Sequence, residues 1–381
     1  MDERIRAWLV LTLLPDLGRA RINTLIRRFG SPEAILDASE QALTDAGIGA
    51  LAVHSLLDWR RLAAVDEELR LIEKHGVSLT TILDDDYPAN LARMAVPPPL
   101  LYYRGTLSPM DEAAVAVIGS RKISRYGRDA THQIVTDLAR AGVTIVSGLA
   151  LGVDAAAHQF ALDAEGRTLA VLGTGLASIY PAQHKPLADH VAASGAVLTE
   201  VSMTSGPNEG CFPQRNSIIA ALSLGVVVIE AAQRSGTSIT VGYALEENRS
   251  VYAVPGDITR VNSVGTNRLI QDGARLVTCG RDILLDLRDE LGRLLDNLPE
   301  LHDPAEGQPA PLPANLNPVE MAVLDALELD PLSIEVLSVA LAERDGGEAP
   351  VAQGDLMAAL LNLELRGLVR QERGMQFRRM K

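Results

Sequence analysis

VAVIGSRKISRYG, from Val115 to Gly127, sets a run of β-branched and small apolar residues against one glycine and then a row of cations. A run that is apolar on both faces suits a strand buried inside a sheet. The glycine after it permits a sharp turn, and Ser124 is suited to cap a helix beginning with the residues that follow. Strand, glycine turn and helix start together make the first half of a βαβ unit. Arg121, Lys122, Arg125 and Arg128 then fall where an open parallel sheet presents its ligand site, beyond the carboxyl ends of its strands.

The same texture recurs outward from this stretch. LLYYR, VTIVS, TLAVL, AVLTE, GVVVIE, SVYAV and RLVT alternate with longer segments of helical patterning. This predicts an α/β fold: a Rossmann-like, mostly parallel sheet with helices on both faces, spanning 76–290. Four glycine-bearing loops follow its strands, GSRKIS, SGLALGVD, GTGLASIYP and QRSGTSIT. Gly119, Gly148 and Gly236 mark places where backbone must come close to something, and the amides at the following helix starts are expected to be free for an anion. Neither G-x-G-x-x-G in the first loop nor G-x-x-x-x-G-K-[ST] anywhere is present, so no nucleotide cofactor is indicated.

A second constellation is GPNEGCFPQRNSIIAALS, Gly206 to Ser223. Pro213 suits the first helical turn, which would place Arg215 and Asn216 in that turn and Phe212 just outside the helix. An exposed ring is ordinarily a core residue reaching inward. Beside an arginine it also serves as a platform for a nucleic-acid base, and phosphate contacts plus stacking are what sequence-independent single-strand binding requires. Gly119, Ser120, Arg121 and Lys122 in the first loop supply the phosphate side of such a site. After the run TLAVL, Lys185 opens a helix where its charge opposes the dipole, a mild cost better explained if it meets a phosphate. Asp154 and His158, four apart on one helix face, read as structural, because a carboxylate is stabilised in a first helical turn and no third ligand is evident. No Ser-His-Asp or Cys-His order presents itself.

The ends of the chain differ from the middle. Residues 1–75 carry apolar positions at helical spacing, Ile5, Leu9 and Val10, then Ile22, Leu25 and Ile26, and predict a small helical domain. Residues 291–317 are proline-rich and read as a semi-rigid linker. Residues 318–381 show three helical stretches and then GLVRQ and MQFRR, turned at Glu372, Arg373 and Gly374, which describes a winged helix. At 381 residues the chain has room for these domains, and a net charge of −14 excludes a protein that coats nucleic acid over its whole surface while leaving room for a local basic site. Cys211 and Cys279 are too few for a disulfide framework, which suits a reducing cytoplasm, and no apolar run approaches the roughly 20 residues that cross a bilayer.

IGSRKIS, SGLALGVDAAAH, GTGLASIYP, FPQRNSIIAALS, RSGTSITVGYALEENRSVYAVPG and NRLIQDGARLVT together resemble the DNA-processing protein A family, also called Smf. The resemblance implies a Rossmann-like core that binds single-stranded DNA, forms a homodimer, and loads the RecA recombinase during natural transformation. It places the family's DNA-contacting arginine on Arg121 and its F-P-x-R-N block on Phe212 to Asn216. The family often carries basic residues where this chain has Ala182 and Ser217, with Lys185 and Lys122 left to compensate. LPDLGRARINTLI resembles a degraded helix-hairpin-helix, or the sterile-alpha-motif-like bundle of this family, with Asp16 where the first glycine would stand. That acid predicts a packing or partner-binding role for the bundle. The would-be recognition helix DLMAALLNLELRG is poor in cations, which points the terminal domain towards protein contact.

The competing expectation is an enzyme, a nucleotide-hydrolysing phosphoribohydrolase on the same kind of sheet. Those enzymes carry P-G-G-x-G-T-x-E, and the nearest stretch here, RSGTSIT, has Ile239 where the glutamate is needed. Without that carboxylate the hydrolytic reading loses its main actor, and the chain is expected not to be an enzyme. An open sheet also has edges to cover, and VYAVPG and RLVT are apolar enough to lie against a second copy.

Overall fold

The computed structural model describes residues 3–207, 210–233, 235–295, 316–327, 332–344, 353–366, 368–372 and 375–379. The chain divides into two compact units, Met1–Leu301 and His302–Lys381.

The first unit begins with helices, among them Glu3–Leu13, Arg19–Phe29 and Val65–His75. Serines start two of the short ones: Ser31 Oγ accepts from Ala34 N–H and Ser39 Oγ from Ala42 N–H, satisfying donors that a helix start leaves open. Asp16 adopts φ 62°, a left-handed conformation that glycine holds with less strain. The buried Trp8, Leu9, Leu11, Leu25 and Ile72 continue into one core with Tyr102, Val197 and Met203 of the sheet region. Polar ties reinforce the join. Arg19 pairs with Glu200, and the Met203 amide donates to Glu68 Oε1 at 2.7 Å.

Among the described residues nine strands follow in this unit: β1 Ser78–Thr81, β2 Leu100–Gly105, β3 Ala114–Ile118, β4 Thr144–Ser147, β5 Thr168–Val171, β6 Ala196–Thr199, β7 Gly225–Val228, β8 Ser250–Ala253 and β9 Arg275–Leu276. Their order across the sheet is β1-β2-β6-β5-β4-β3-β7-β8-β9. Every pairing from β6 to β9 is parallel, and β1 and β2 are antiparallel additions at one edge. The mostly parallel sheet expected from the alternating apolar runs is what forms. The run SLTT was not among them, since its threonines carry no apolar signal.

Alternation along β3 sends Val115 and Val117 to one core and Ala114, Ala116 and Ile118 to the other. Helices Arg125–Arg140 and Val153–Asp163 cover the first face through Ile134, Leu138, Val153 and Phe160. Helices Cys211–Leu222 and Thr237–Glu246 cover the second through Ile218, Ile219, Leu222 and Val241. At about 1.5–3 kcal/mol for each large apolar side chain fully buried, these layers hold the strand ends rigidly enough to carry a site. Among the described residues no helix is long and apolar enough to cross a membrane.

The second unit packs helices Pro318–Ala326, Ile334–Arg344 and Gln353–Leu365 around Val323, Leu337, Leu356 and Leu360. Asn317 and Glu320 form a reciprocal capping box at the first helix. Strand Gln376–Arg379 pairs antiparallel with Val369–Glu372 on one side and with Leu332–Ser333 on the other. The second helix starts at Ile334, because Leu332 and Ser333 before it are drawn into pairing with Phe377 and Gln376. Most of the proline-rich stretch, 296–315, lies outside the described residues, as do Arg373 and Gly374 of the expected turn.

Candidate functional site

Beyond the carboxyl ends of β3, β4 and β5 lies an open cleft of about 60 Å³. Arg121 comes to it from the loop after β3, Gly148, Ala150 and Leu151 from the loop after β4, and Leu172, Gly173, Thr174, Tyr180 and Pro181 from the loop after β5. Phe212 and Arg215 close it from helix Cys211–Leu222. The mouth is aromatic and cationic. The Arg121 guanidinium lies 6.0 Å from the centroid of the Phe212 ring, and the Tyr180 ring is 6.3 Å from it at 51°. Tyr180 is 50% exposed.

The helix that carries Phe212 starts earlier than the sequence suggested. Gly210 is its cap, so Phe212 and Pro213 lie in the first turn and Arg215 and Asn216 in the second. A proline is tolerated there because the first amides of a helix have no intrahelical acceptor. The consequence is that Arg215 points down. It is 7% exposed, and its Nη1 donates to the Val171 carbonyl at 3.1 Å.

Gly148 makes room for it. A Cβ at 148 would stand 1.5 Å from Arg215 Nη1 and 2.7 Å from Asp154 Oδ2, and the Gly148 amide donates to that same carboxylate oxygen at 3.2 Å. Burial pushes the Asp154 carboxyl up and the Arg215 guanidinium down, and each opposes the other's shift by its charge. A buried pair so placed is a foundation for the cleft. Beneath it, His158 is fully buried, with Nδ1 2.8 Å from Thr168 Oγ1, and burial first, then His184 and Arg215, push its pKa down to about 3. Asp154 and His158 are therefore held within the structure. Arg215 Nε and Thr174 Oγ1 are buried under the cleft without a hydrogen-bond partner.

Of the residues singled out from sequence, Arg121, Gly148, Phe212 and Arg215 converge on this cleft, and Gly119, Ser120, Lys122, Lys185, Asn216 and Gly236 do not line it. Gly119 is packed against Val153, 2.7 Å from where its Cβ would be. Ser120 Oγ bonds within its own loop, accepting from the Lys122 amide and donating to the Lys122 carbonyl at 3.1 Å each. Lys122 is exposed, and its carbonyl accepts from Asn262 Nδ2 at 3.0 Å. Lys185 is exposed with Nζ 3.7 Å from Asp189 Oδ2, which offsets its unfavourable place at a helix start. Asn216 is half-buried, and Gly236 caps helix Thr237–Glu246 with open space around it. Of the other opening cations, Arg128 is exposed and its guanidinium lies 5.0 Å from the centroid of the Phe160 ring.

One expectation fails at the first loop, and one residue of the aromatic mouth went unremarked. The amides at the start of helix Arg125–Arg140 are not all free: Ser124 N–H donates to Glu230 Oε2 at 2.9 Å, and Gly127 N–H to Ser124 Oγ at 3.0 Å. Tyr180 was missed as a site residue. With aromatics at 3% of the chain, a tyrosine in a glycine-rich loop at a strand's carboxyl end was the available signal. Among the described residues no group of three His, Cys, Asp or Glu is placed to hold a metal.

Residues 78–288 match the family model described as DNA recombination-mediator protein A. Protein Smf of Synechocystis is 35% identical, with 98% of both chains covered. The X-ray structure of DNA processing protein A from Streptococcus pneumoniae superposes with a TM-score of 0.65 at 35% identity, covering 75% of this chain and 98% of that one. A structure of DNA processing protein A from Helicobacter pylori, described for its single-stranded DNA binding mode, superposes with a TM-score of 0.51 at 29% identity, covering 56% of this chain and 96% of that one.

Proposed function

The chain belongs to the DNA recombination-mediator protein A family, and from that premise we propose that it binds single-stranded DNA along the β3–β5 edge of its sheet, without catalysing a reaction on it. The observation that carries this reading is the convergence of Arg121, Phe212 and Tyr180 on one cleft floored by Gly148 and Gly173. An unpaired base stacks on the Phe212 and Tyr180 rings, Arg121 meets the adjoining phosphate, and Arg215 sets the positive floor below. Stacking and charge are indifferent to base identity, so binding is sequence-tolerant. A duplex keeps its bases stacked on each other and offers the rings nothing.

Among the described residues the cleft lining contains no carboxylate, histidine or thiol, which favours a binding module over a hydrolase. Lys122, Lys185 and Asn216, on loops and a helix that flank the cleft, extend the phosphate track in this proposal, with Ser120 and the amides near Gly119 and Gly236 lending polar contacts. The bound strand is passed to the RecA recombinase in the cytoplasm, as in natural transformation. A second copy covers the β9 edge, where Leu276 is exposed.

The domain organisation proposed is 1–75, 76–290, a 291–317 linker and 318–381. The first is a sterile-alpha-motif-like or helix-hairpin-helix-like bundle turned to packing, a reading supported by the capture of Arg19 by Glu200. The last is a winged helix, supported by its three helices and small antiparallel sheet. Fluorescence anisotropy with labelled poly-thymidine and with a duplex of equal length, each at two salt concentrations, tests the central claim. Tight binding to the single strand and weak binding to the duplex is expected; equal affinity for both overturns it.

A further inference from the structure

In an open doubly wound sheet the usual ligand seat is the crevice where strand order reverses. Here that point lies between β3 and β7, because the chain goes on from β3 to β4 on one side while β7 pairs on the other. The helix after β3 packs on one face and the helix after β7 on the opposite face, which opens the crevice. The start of helix Arg125–Arg140 points its amides there, as a phosphate-binding helix start does.

The crevice is filled by the chain itself. Glu230, two residues beyond β7, is 2% exposed. Its carboxylate accepts from the Ser124 amide at 2.9 Å, from the Ser124 hydroxyl, and from Asn262 Nδ2 at 3.4 Å. Gly127 lies in the first turn of the helix, where glycine is otherwise unfavourable. A Cβ there would stand 2.5 Å from Glu230 Oε2 and from its carboxyl carbon. The glycine thus clears the space into which the carboxylate fits, and backbone amide, hydroxyl and side-chain amide close around an anion that belongs to the protein.

We infer that Glu230 is a specificity-determining residue: its carboxylate occupies the seat of a ligand phosphate at the switch point, so phosphate-bearing ligands are refused there and anion recognition passes to the cleft over β3–β5. The exclusion is both steric and electrostatic. A phosphate group entering the crevice meets a buried carboxylate, and the Ser124 and Gly127 amides are already engaged.

Thermal unfolding of the full chain, wild type and Glu230→Ala, in inorganic phosphate and in potassium chloride of matched ionic strength tests this. The wild type is expected to respond equally to both salts. E230A, with the seat emptied, is expected to gain several degrees in phosphate over chloride, because a ligand that binds only the folded state raises its melting temperature. A folded E230A indifferent to phosphate, or a wild type that phosphate already stabilises specifically, overturns the inference. Should E230A not fold, Glu230→Gln keeps the shape and removes the charge. That variant is expected to melt several degrees lower and to stay indifferent to phosphate, its seat being still filled; a melting temperature equal to wild type overturns the inference. Poly-thymidine binding measured alongside separates this claim from the proposed function, since E230A leaves Arg121 and Phe212 in place.

Discussion

His158 gives the site an acid-labile foundation whose size follows from its surroundings. Thr168 Oγ1 donates its single proton to the Ile145 carbonyl at 2.8 Å, so it can only accept from His158, which fixes the imidazole proton on Nδ1. Nε2 is left as a buried lone pair with no partner. Protonating it places a charge in a fully buried position close to Arg215, and the pKa falls from 6.5 to about 3. Because the folded-state pKa is depressed, the contribution is complete above pH 6.5 and is lost as pH falls towards 3: the unfolded chain takes up a proton that the folded chain refuses. At about 1.4 kcal/mol per unit, the loss between pH 6.5 and pH 5 is roughly 2 kcal/mol. Guanidinium unfolding followed by tryptophan fluorescence reads it, since both tryptophans, Trp8 and Trp59, lie in the first unit. The perturbation is His158→Gln. Whatever that change costs outright cancels when each protein is compared with itself at pH 7.5 and pH 5. The wild type is expected to lose about 2 kcal/mol more than the variant over that interval. Equal losses refute the reasoning, and with it the claim that the histidine is held neutral under the cleft.

Arg121→Ala is expected to weaken binding to single strands of every sequence and to lower the logarithmic salt slope by about 0.7, the share of one neutralised phosphate, in anisotropy titrations over a range of salt. Phe212→Ala is expected to cost about 1–3 kcal/mol of binding in the same titrations and to leave the slope unchanged, because a stacked base releases no counterion. Arg19→Ala strands the Glu200 carboxylate, which is 10% exposed, and is expected to destabilise the first unit by about 3 kcal/mol; adding Glu200→Ala recovers a large part of it, as a double-mutant cycle in guanidinium shows.

The β-branched runs that became β3 to β8 were legible because both their faces are buried, so periodicity and composition agree. β1 was not, since Ser78, Thr80 and Thr81 join the sheet through backbone pairing with β2 and side-chain bonds to Asp84 and Asp86. Arg121 and Phe212 were legible as residue types at strand ends and helix starts. Whether such residues meet is a tertiary fact, and Tyr180 reaches Phe212 only through the loop after β5. The capture of the first helix start by Glu230 spans 106 residues, a pairing that no local pattern announces. The shift in the helix start at Cys211 had a different cause. Proline is tolerated at any of the first positions of a helix, so Pro213 marked the region without fixing the first residue.

The arrangement explains how a chain of net charge −14 can hold a polyanion. Of the four cations in the opening stretch, Arg121 borders the cleft and Arg128 lies by the Phe160 ring, while Glu230 closes the neighbouring crevice to anions. Among the described residues only Arg121 and Arg215 bring positive charge to the cleft itself, and the acidic surface beyond about 8 Å is screened at physiological ionic strength. Charge alone is too sparse to capture a strand. In the proposed site the rings of Phe212 and Tyr180 supply much of the affinity, and rings can be reached only by bases free of a partner. The proposed preference for the unpaired strand thus follows from the scarcity of cations as much as from the presence of aromatics. A richer basic surface would hold duplex and single strand alike.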